Sequence, residues 1–486
     1  MSKTAKTLFF CKQCGHESFR WEGKCPGCGE WDALVEAPAE QSTRPGKGGK
    51  AARAERAPRV MSLTGSSQLK PLKEHARERL PRTPIPIGEF HRVLGGGLVP
   101  GGSVLVGGEP GIGKSTLMLQ MLGALAAQGD EKKSEKPRPW IYITGEEAPS
   151  QIAARAERMH AASGGKNTAF DSEFLKLASE TDLETILNAL EAEQPAVAVI
   201  DSVQTLRDDT NNSTPGSVSQ VRDCAMALVD AGRRLNCAIF LIGHVTKEGT
   251  IAGPRVLEHI VDTVLNFEGE TRLDLRVLRA SKNRFGNTDE VGFFEMTQNG
   301  LVEVPDPSVV LLDRDSHHDK GPGTAIGALC EGTRVLLVEL QGLTVPVPGG
   351  GNPRRRASGL DANRLAQLLA VLETKASVPY GMLDVFASAA GGFRVEEPAA
   401  DLPLALALAS VATGRSVREG LIAAGEVGLL GELRPVPRME ARISEAKRLG
   451  FKQILLPARG RAVGNVNGIK VLRAKTVREA LAMGLE

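Results

Sequence analysis

The sequence predicts an α/β protein: a core built on a parallel sheet, a small cysteine-rich module before it and an α+β domain after it. Three observations predict this. Four cysteines fall close together at 11, 14, 25 and 28. Between residues 103 and 242, short apolar runs such as "SVLVG", "WIYIT", "AVAVID" and "AIFLIG" alternate with longer stretches, the pattern of strands joined by helical crossovers. From about residue 321 the composition changes again, to an alternating run and then three helical patterns. The expected units are 1–35, a linker 36–85, a core 86–305, a linker 306–320 and a final domain 321–486.

Size and charge set limits. A chain of 486 residues can bury two or three sizeable cores. Sixty Lys and Arg stand against 58 Asp and Glu, so bulk charge names no partner and any nucleic-acid footprint is local. Aromatics make up 4% of residues, which leaves few platforms for stacked bases. The start "MSKTAKTLFF" lacks the apolar run of an export signal, and "LPLALALA" is too short to span a bilayer. The expectation is a soluble cytoplasmic protein without membrane contact.

The first module is "CKQCGHESFRWEGKCPGCGEW". Cys11 and Cys14 form one C-x-x-C pair, Cys25 and Cys28 another, with ten residues between the pairs. Each hairpin can aim two thiolates at one tetrahedral ion, and the glycines at 15, 27 and 29 permit the tight turns. Two disulfides are the alternative, disfavoured in a chain without an export signal. Four thiolates close the site, so a structural Zn2+ in a ribbon-like module is expected. Cys224, Cys237 and Cys330 are isolated and read as packed or bystander thiols. Between 41 and 82 stand 11 Lys or Arg and 3 Asp or Glu, a net of +8. This is a solvated linker, or a basic tether for phosphates.

"GGEPGIGKST" carries the strongest signal. Gly108-x4-Gly113-Lys114-Ser115 has P-loop spacing and sits between an apolar strand and a helix. Gly108, Glu109, Pro110, Gly111, Ile112, Gly113 and Thr116 would wrap the phosphates, all but Pro110 able to offer a backbone N–H group, aided by the helix N-terminus. Lys114 would reach the outer phosphates of ATP, and Ser115 would ligate Mg2+. Asp201 ends the strand "AVAVID" and suits the Mg2+ water shell. Glu146 and Glu147 end "WIYITGEE"; Glu146 is the expected base for the attacking water, the alternative being an acid pair on the first turn of the next helix. His244 ends a further strand and could sense the γ-phosphate or be structural.

These parts resemble the RecA-type ATPases, "DSVQTL" matching the Walker B strand and "TGEE" the strand of the catalytic glutamate. With the four-cysteine module and "KNRFG", the resemblance extends over nearly all 486 residues to the bacterial RadA (Sms) family of DNA repair proteins. It implies that Lys282 and Arg284 act in trans, on a nucleotide held by the neighbouring subunit of a ring, as arginine fingers do. Direct contact with DNA, or a solvated surface, are the alternatives. Loops "RDDTNNSTPGSVSQ" and "TKEGTIAGPR" match those that hold single-stranded DNA in RecA-like proteins, with Lys247 and Arg255 as phosphate contacts; ordinary surface loops are the alternative.

The last domain resembles the proteolytic domain of Lon, most closely in "AAGEVGLLGELRPVPRMEARISEAKRLGFKQILLP". In register, the Lon serine falls on Ala399 and the Lon lysine on Arg442. Alanine offers no nucleophile and arginine stays protonated, so no peptidase activity is expected. "GTRVLLVELQGLTVPVP" reads as a strand pair, and "VPGGGNPRRRASG" as a flexible loop that offers Arg354, Arg355 and Arg356 to phosphates, or merely solubilises. The resemblance implies a DNA-dependent ATPase that forms a homo-oligomeric ring, by analogy hexameric. It would move single-stranded and branched DNA in recombination together with RecA. The alternatives are an ATP-gated binding switch without translocation and, less favoured, an ATP-dependent protease.

Overall fold

The computed structural model describes residues 9–11, 17–18, 20–24, 26, 31 and 34–36, and then 82–131, 138–162, 170, 172–211, 213–243, 256–270, 275–312, 321–347, 351–390, 393–460 and 467–486. The chain divides into two compact units, residues 1–69 and 70–486. In the first, Phe9–Cys11 pairs antiparallel with Glu17–Ser18 on one side and Leu34–Glu36 on the other. Lys24 bridges to Trp31 in the backbone and sets its ammonium 5.7 Å from the ring centre.

The second unit starts from a nine-stranded sheet. Edge to edge its strands are Gly300–Glu303, Val291–Thr297, Leu275–Asn283, Thr263–Glu270, Ser103–Gly108, Ala238–Ile242, Val197–Asp201, Trp140–Thr144 and Leu175–Ser179. The last six run parallel; the first three are added antiparallel. The four strands at 103, 140, 197 and 238 are buried on both faces, which is why they read as unbroken apolar runs. Alternation still sorts their side chains. Val104, Val106 and Tyr142 join the core under helices Lys114–Glu131 and Pro149–Ala162, whereas Leu105, Ile141 and Ile143 join the core under Leu183–Glu193 and Val218–Leu235. Arg138 fastens these last two helices from below. Its guanidinium donates to the carbonyls of Gln194, Pro195, Leu235 and Asn236 at 2.6–3.2 Å, where helix C-termini leave acceptors unpaired.

The final domain is a seven-stranded mixed sheet in the order Arg355–Ser358, Leu383–Ala389, Arg334–Pro346, Thr324–Glu331, Leu421–Ala423, Gln453–Pro457 and Lys470–Ala474. Helix Asp401–Thr413 is buried from Asp401 through Ser410 and forms its centre. Leu275, Val277, Val291 and Phe293 of the first sheet share one core with this domain, so its hydrophobic packing is continuous with the antiparallel end of that sheet.

Two expectations change. Residues 334–346 form one long strand rather than a pair. Gly342, inside that strand, lets helix 401–413 approach: a Cβ there would lie 3.1 Å from Leu408 Cδ2. The three arginines do not ride on a flexible loop. Arg355–Ser358 is a strand, parallel to Leu383–Ala389, and pairing of its backbone outweighs the loop-like composition before it.

Candidate active site

The carboxyl ends of the parallel strands gather the predicted groups. Gly108 closes its strand, and helix 114–131 starts at Lys114. The loop between admits no side chain at its ends: a Cβ on Gly108 would stand 2.5 Å from the Phe267 carbonyl, and one on Gly113 (φ 112°) 2.6 Å from Met296 Cε. Ile112 turns inward and is buried, while Glu109, Pro110 and Gly111 face outward. Lys114 lies inside the loop and donates to the carbonyls of Gly108 at 2.8 Å and Glu109 at 2.9 Å. Burial pushes its ammonium pKa down, and Asp201 and Glu146 push it back up. Ser115 and Thr116 follow on the first turn, both half-buried.

Asp201 ends the strand Val197–Asp201, separated from the P-loop strand by Ala238–Ile242, and is buried. Burial holds its carboxyl above the usual range; hydrogen bonds from Ser115 and from Tyr142, whose hydroxyl donates to Oδ2 at 2.5 Å, oppose that rise. The next strand supplies Glu146. Thr144 Oγ1 accepts from the N–H groups of Glu146 at 3.3 Å and Glu147 at 3.0 Å, which fixes the strand end. Ser202 then donates to Glu146 Oε1 at 2.5 Å. Glu147 turns away into a two-oxygen ion pair with Arg155 on the following helix. The two glutamates therefore differ: both act on Asp201 through their charge, but Glu146 also acts on Lys114, whereas Glu147 anchors a helix.

Ser115 and Asp201 make an oxygen donor set of the kind Mg2+ takes. A carboxylate held high by burial beside Glu146 is one that a divalent cation would return to the charged form. Sequence reasoning missed Tyr142 and Ser202. Tyr142 is one of two tyrosines in the chain and interrupts an apolar strand, which is the one signal it gives.

The cation pair lies elsewhere. Lys282 is inside the strand Leu275–Asn283, past an irregularity at Ala280, and Arg284 follows its end. Lys282 donates to the carbonyls of Glu258 at 2.5 Å and Val261 at 2.7 Å, at the end of helix Val256–Ile260. Burial lowers its pKa, as does Arg284. Arg284 is exposed and pairs with Asp262 at 3.3 Å; that buried carboxylate also takes Arg233 and the backbone and hydroxyl of Ser103. Arg284 N–H bonds the Asp262 carbonyl, and Asp262 N–H the Ser103 carbonyl, so Arg284 stands level with the start of the P-loop strand. From Ser103 to Gly108 is about 17 Å at the usual strand rise. The two cations thus sit at the end of the sheet opposite their own P-loop.

His244, Lys247 and Arg255 lie outside the described residues, as do Cys14, Cys25, Cys28 and the side chain of Cys11. Arg354 donates from N and Nε to Asp384 at 2.7 and 3.0 Å, and Arg355 donates to the carbonyls of Tyr380 at 2.9 Å and of Leu383, so both hold the edge strand. Arg356 is exposed. At the Lon-like positions, Ala399 is buried in a 3-10 turn before helix 401–413, and Arg442 is wholly buried and paired with Glu397. Ser410, inside that helix, is taken up structurally, accepting from Gly323 N–H at 3.0 Å and donating to the Arg415 carbonyl at 2.6 Å. No helix among the described residues is long and apolar enough to cross a membrane.

Residues 88–250 match a family model described as an AAA domain, 9–36 one described as a rubredoxin metal binding domain, and 385–460 one described as subunit ChlI of Mg-chelatase. The chain is 42% identical to the DNA repair protein RadA of Bacillus subtilis over the full length of both. It is 44% identical to the RadA of Synechocystis, over 99% of this chain and 94% of that one. Against the RadA of Pseudomonas aeruginosa the identity is 43%, over 98% of each. The matched models describe an ATPase domain and a metal-binding module, the former spanning the P-loop, Glu146 and Asp201.

Proposed function

The chain belongs to the RadA family of DNA repair proteins, and on that premise we propose that it is a DNA-dependent ATPase that forms a ring and drives branch migration during recombination, in concert with RecA. The P-loop and Lys114 hold the phosphates of ATP. Ser115 and Asp201 would hold Mg2+, which when bound would offset charge on the phosphates and the transferred group. Glu146, steadied by Ser202, accepts a proton from the attacking water. Lys282 and Arg284 complete the site of the next subunit. Cys11, Cys14, Cys25 and Cys28 would hold a single Zn2+, which would supply the cross-link that folds the first module, consistent with its metal-binding match.

The observation that carries this reading is the position of the cation pair. Two cations anchored at the end of the sheet away from their own P-loop stand far from the nucleotide that loop would hold; a neighbour stacked in a ring would bring one to them. Lys282 held by two carbonyls rather than a carboxylate is also cheap to release. Loss of the Ser–Lys pair, with Arg442 committed to Glu397, favours a scaffold over a peptidase in the last domain.

The test is steady-state ATP hydrolysis with and without single-stranded DNA, for the parent and Lys282→Ala. DNA stimulation in the parent, ATP binding without turnover in the variant, and poisoning of mixed assemblies are expected. Unchanged hydrolysis by Lys282→Ala removes the trans role. Turnover indifferent to DNA, with no displacement of a labelled strand, leaves an ATP-gated switch.

A further inference from the structure

We propose that Arg82 is a positioning residue for the cation pair, a clasp that fixes the turn carrying Arg284 and so sets where both cations stand. The inference rests on the trans-acting reading above and deepens it. Arg82 lies where the basic linker meets the ATPase sheet. Its guanidinium bridges two carbonyls far apart in sequence: Nη1 donates to Gly95 and Nη2 to Phe285. Phe285 is the residue between Arg284 and Gly286. Its N–H is already taken by Asn283 Oδ1 at 2.9 Å, and its ring lies against Gly102, where a Cβ would come within 3.1 Å of Cε2. Arg82 therefore holds the carbonyl side of a residue whose amide side is held by Asn283.

The surrounding backbone is shaped for this clasp. Gly95 (φ 78°) and Gly286 meet face to face; a Cβ on Gly286 would stand 2.9 Å from Gly95 Cα, and one on Gly95 3.0 Å from Gly286 Cα. Thr83 pairs with Leu98 through two backbone bonds of 2.9 and 2.8 Å, and so pins the residue next to Arg82 against the same glycine turn. A charged fork reaching two carbonyls gives stronger and more directional bonds than a neutral donor. Arg82 is itself exposed, so removing it opens no cavity and strands no buried charge. Its loss acts on the turn rather than on the fold.

The test measures ATP turnover, nucleotide affinity and thermal unfolding of full-length Arg82→Ala, Arg82→Lys and Lys282→Ala. Displacing a catalytic group by an ångström costs up to about a hundredfold in rate, so a kcat lowered about tenfold is expected for Arg82→Ala, with KM for ATP unchanged within about twofold. Arg82→Lys recovers part of the rate, because an ammonium serves one of the two carbonyls. Should Arg82→Ala unfold, Gly286→Ala, which forces the turn off Gly95 from the other side, shows the same kcat loss. Parent-like kcat in Arg82→Ala beside an inactive Lys282→Ala overturns the clasp alone. Normal turnover by Lys282→Ala overturns the trans reading and the clasp with it.

Discussion

The hydroxyl of Tyr142 donates to Oδ2 of Asp201 at 2.5 Å, and both residues are buried. Their strands are parallel neighbours in which Tyr142 pairs with Val199, two residues before Asp201. The tyrosine thus reaches up one step of the pleat to brace the carboxylate expected to serve the metal. This bond lowers the Asp201 pKa against the rise that burial causes. In Tyr142→Phe the ring still fills its place but the donor is gone, so the Asp201 pKa climbs further. The acid limb of kcat/KM for ATP then moves to higher pH, and the rate at slightly acid pH falls about tenfold, the worth of a hydrogen bond to a charged group. A pH profile that overlays the parent's would show that the bond does not matter to turnover.

Asp201 also makes a prediction about stability, and its sign follows from the raised pKa. A carboxyl whose pKa is higher folded than unfolded opposes folding once it ionises. The penalty is absent below the unfolded value near 3.8, grows as pH rises through the folded value, and is complete above it. Asp201→Asn keeps an acceptor for Tyr142 but carries no charge. In the absence of nucleotide and Mg2+ it is expected to be more stable than the parent at pH 7, by on the order of 1 kcal/mol, and the gain should vanish toward pH 4. Urea unfolding at both values measures it. Hydrolysis is lost in the same variant.

Glu89 joins the ATPase sheet to the last domain. It is buried and accepts from Arg334 Nη1 at 2.8 Å, from Phe293 N–H at 3.0 Å and from Arg92. Burial lowers the pKa of Arg334, which Glu89 opposes. Glu89→Ala leaves Arg334 without that partner, and a cost of about 3 kcal/mol is expected from breaking a buried pair. Gly332, on the same hairpin, has φ 58°, and a Cβ there would lie 1.9 Å from the Asp289 carbonyl. Gly332→Ala must therefore displace the hairpin. Limited proteolysis should cut both variants between the two domains before either domain is degraded; equal protection in parent and variants would mean the joint holds without these residues.

How much of this was legible in the sequence depended on the distance between the residues involved. P-loop spacing is local: glycines at 108 and 113 and a lysine at 114 fix one loop, and the structure shows why no Cβ fits at its ends. The buried parallel strands were legible because burial on both faces forbids polar residues. Tyr142 was not, since its role exists only once its strand lies beside Asp201. Lys282 and Arg284 could be singled out as cations, but their place at the far end of the sheet comes from register. Arg82 gave no signal amid a basic linker. Arg354 and Arg355 were misread because glycine and proline before them suggest a free loop, while Asp384 and the strand at 383–389 bind them down.

The Lon-like positions allow a reconstruction. Arg442 is wholly buried, donates to Pro437 O at 3.0 Å and to Ala328 O, and spans both oxygens of Glu397. Ala399 follows two residues later. Replacing Ala399 by Ser and Arg442 by Lys restores the residue types of a Ser–Lys dyad, yet no peptidase is expected to appear. A lysine base must be neutral, and a carboxylate at hydrogen-bond distance favours the charged ammonium. Glu397 is itself held by Cys330 N–H at 2.5 Å and so stays in place. The double variant Ala399→Ser/Arg442→Lys should leave casein intact and lose about 1–3 kcal/mol in urea unfolding, because a point donor cannot replace a fork that serves several acceptors. Adding Glu397→Gln removes the charge that keeps the lysine protonated. If any combination cleaves casein it is this triple variant, and cleavage by the double variant would show that Glu397 does not control the site.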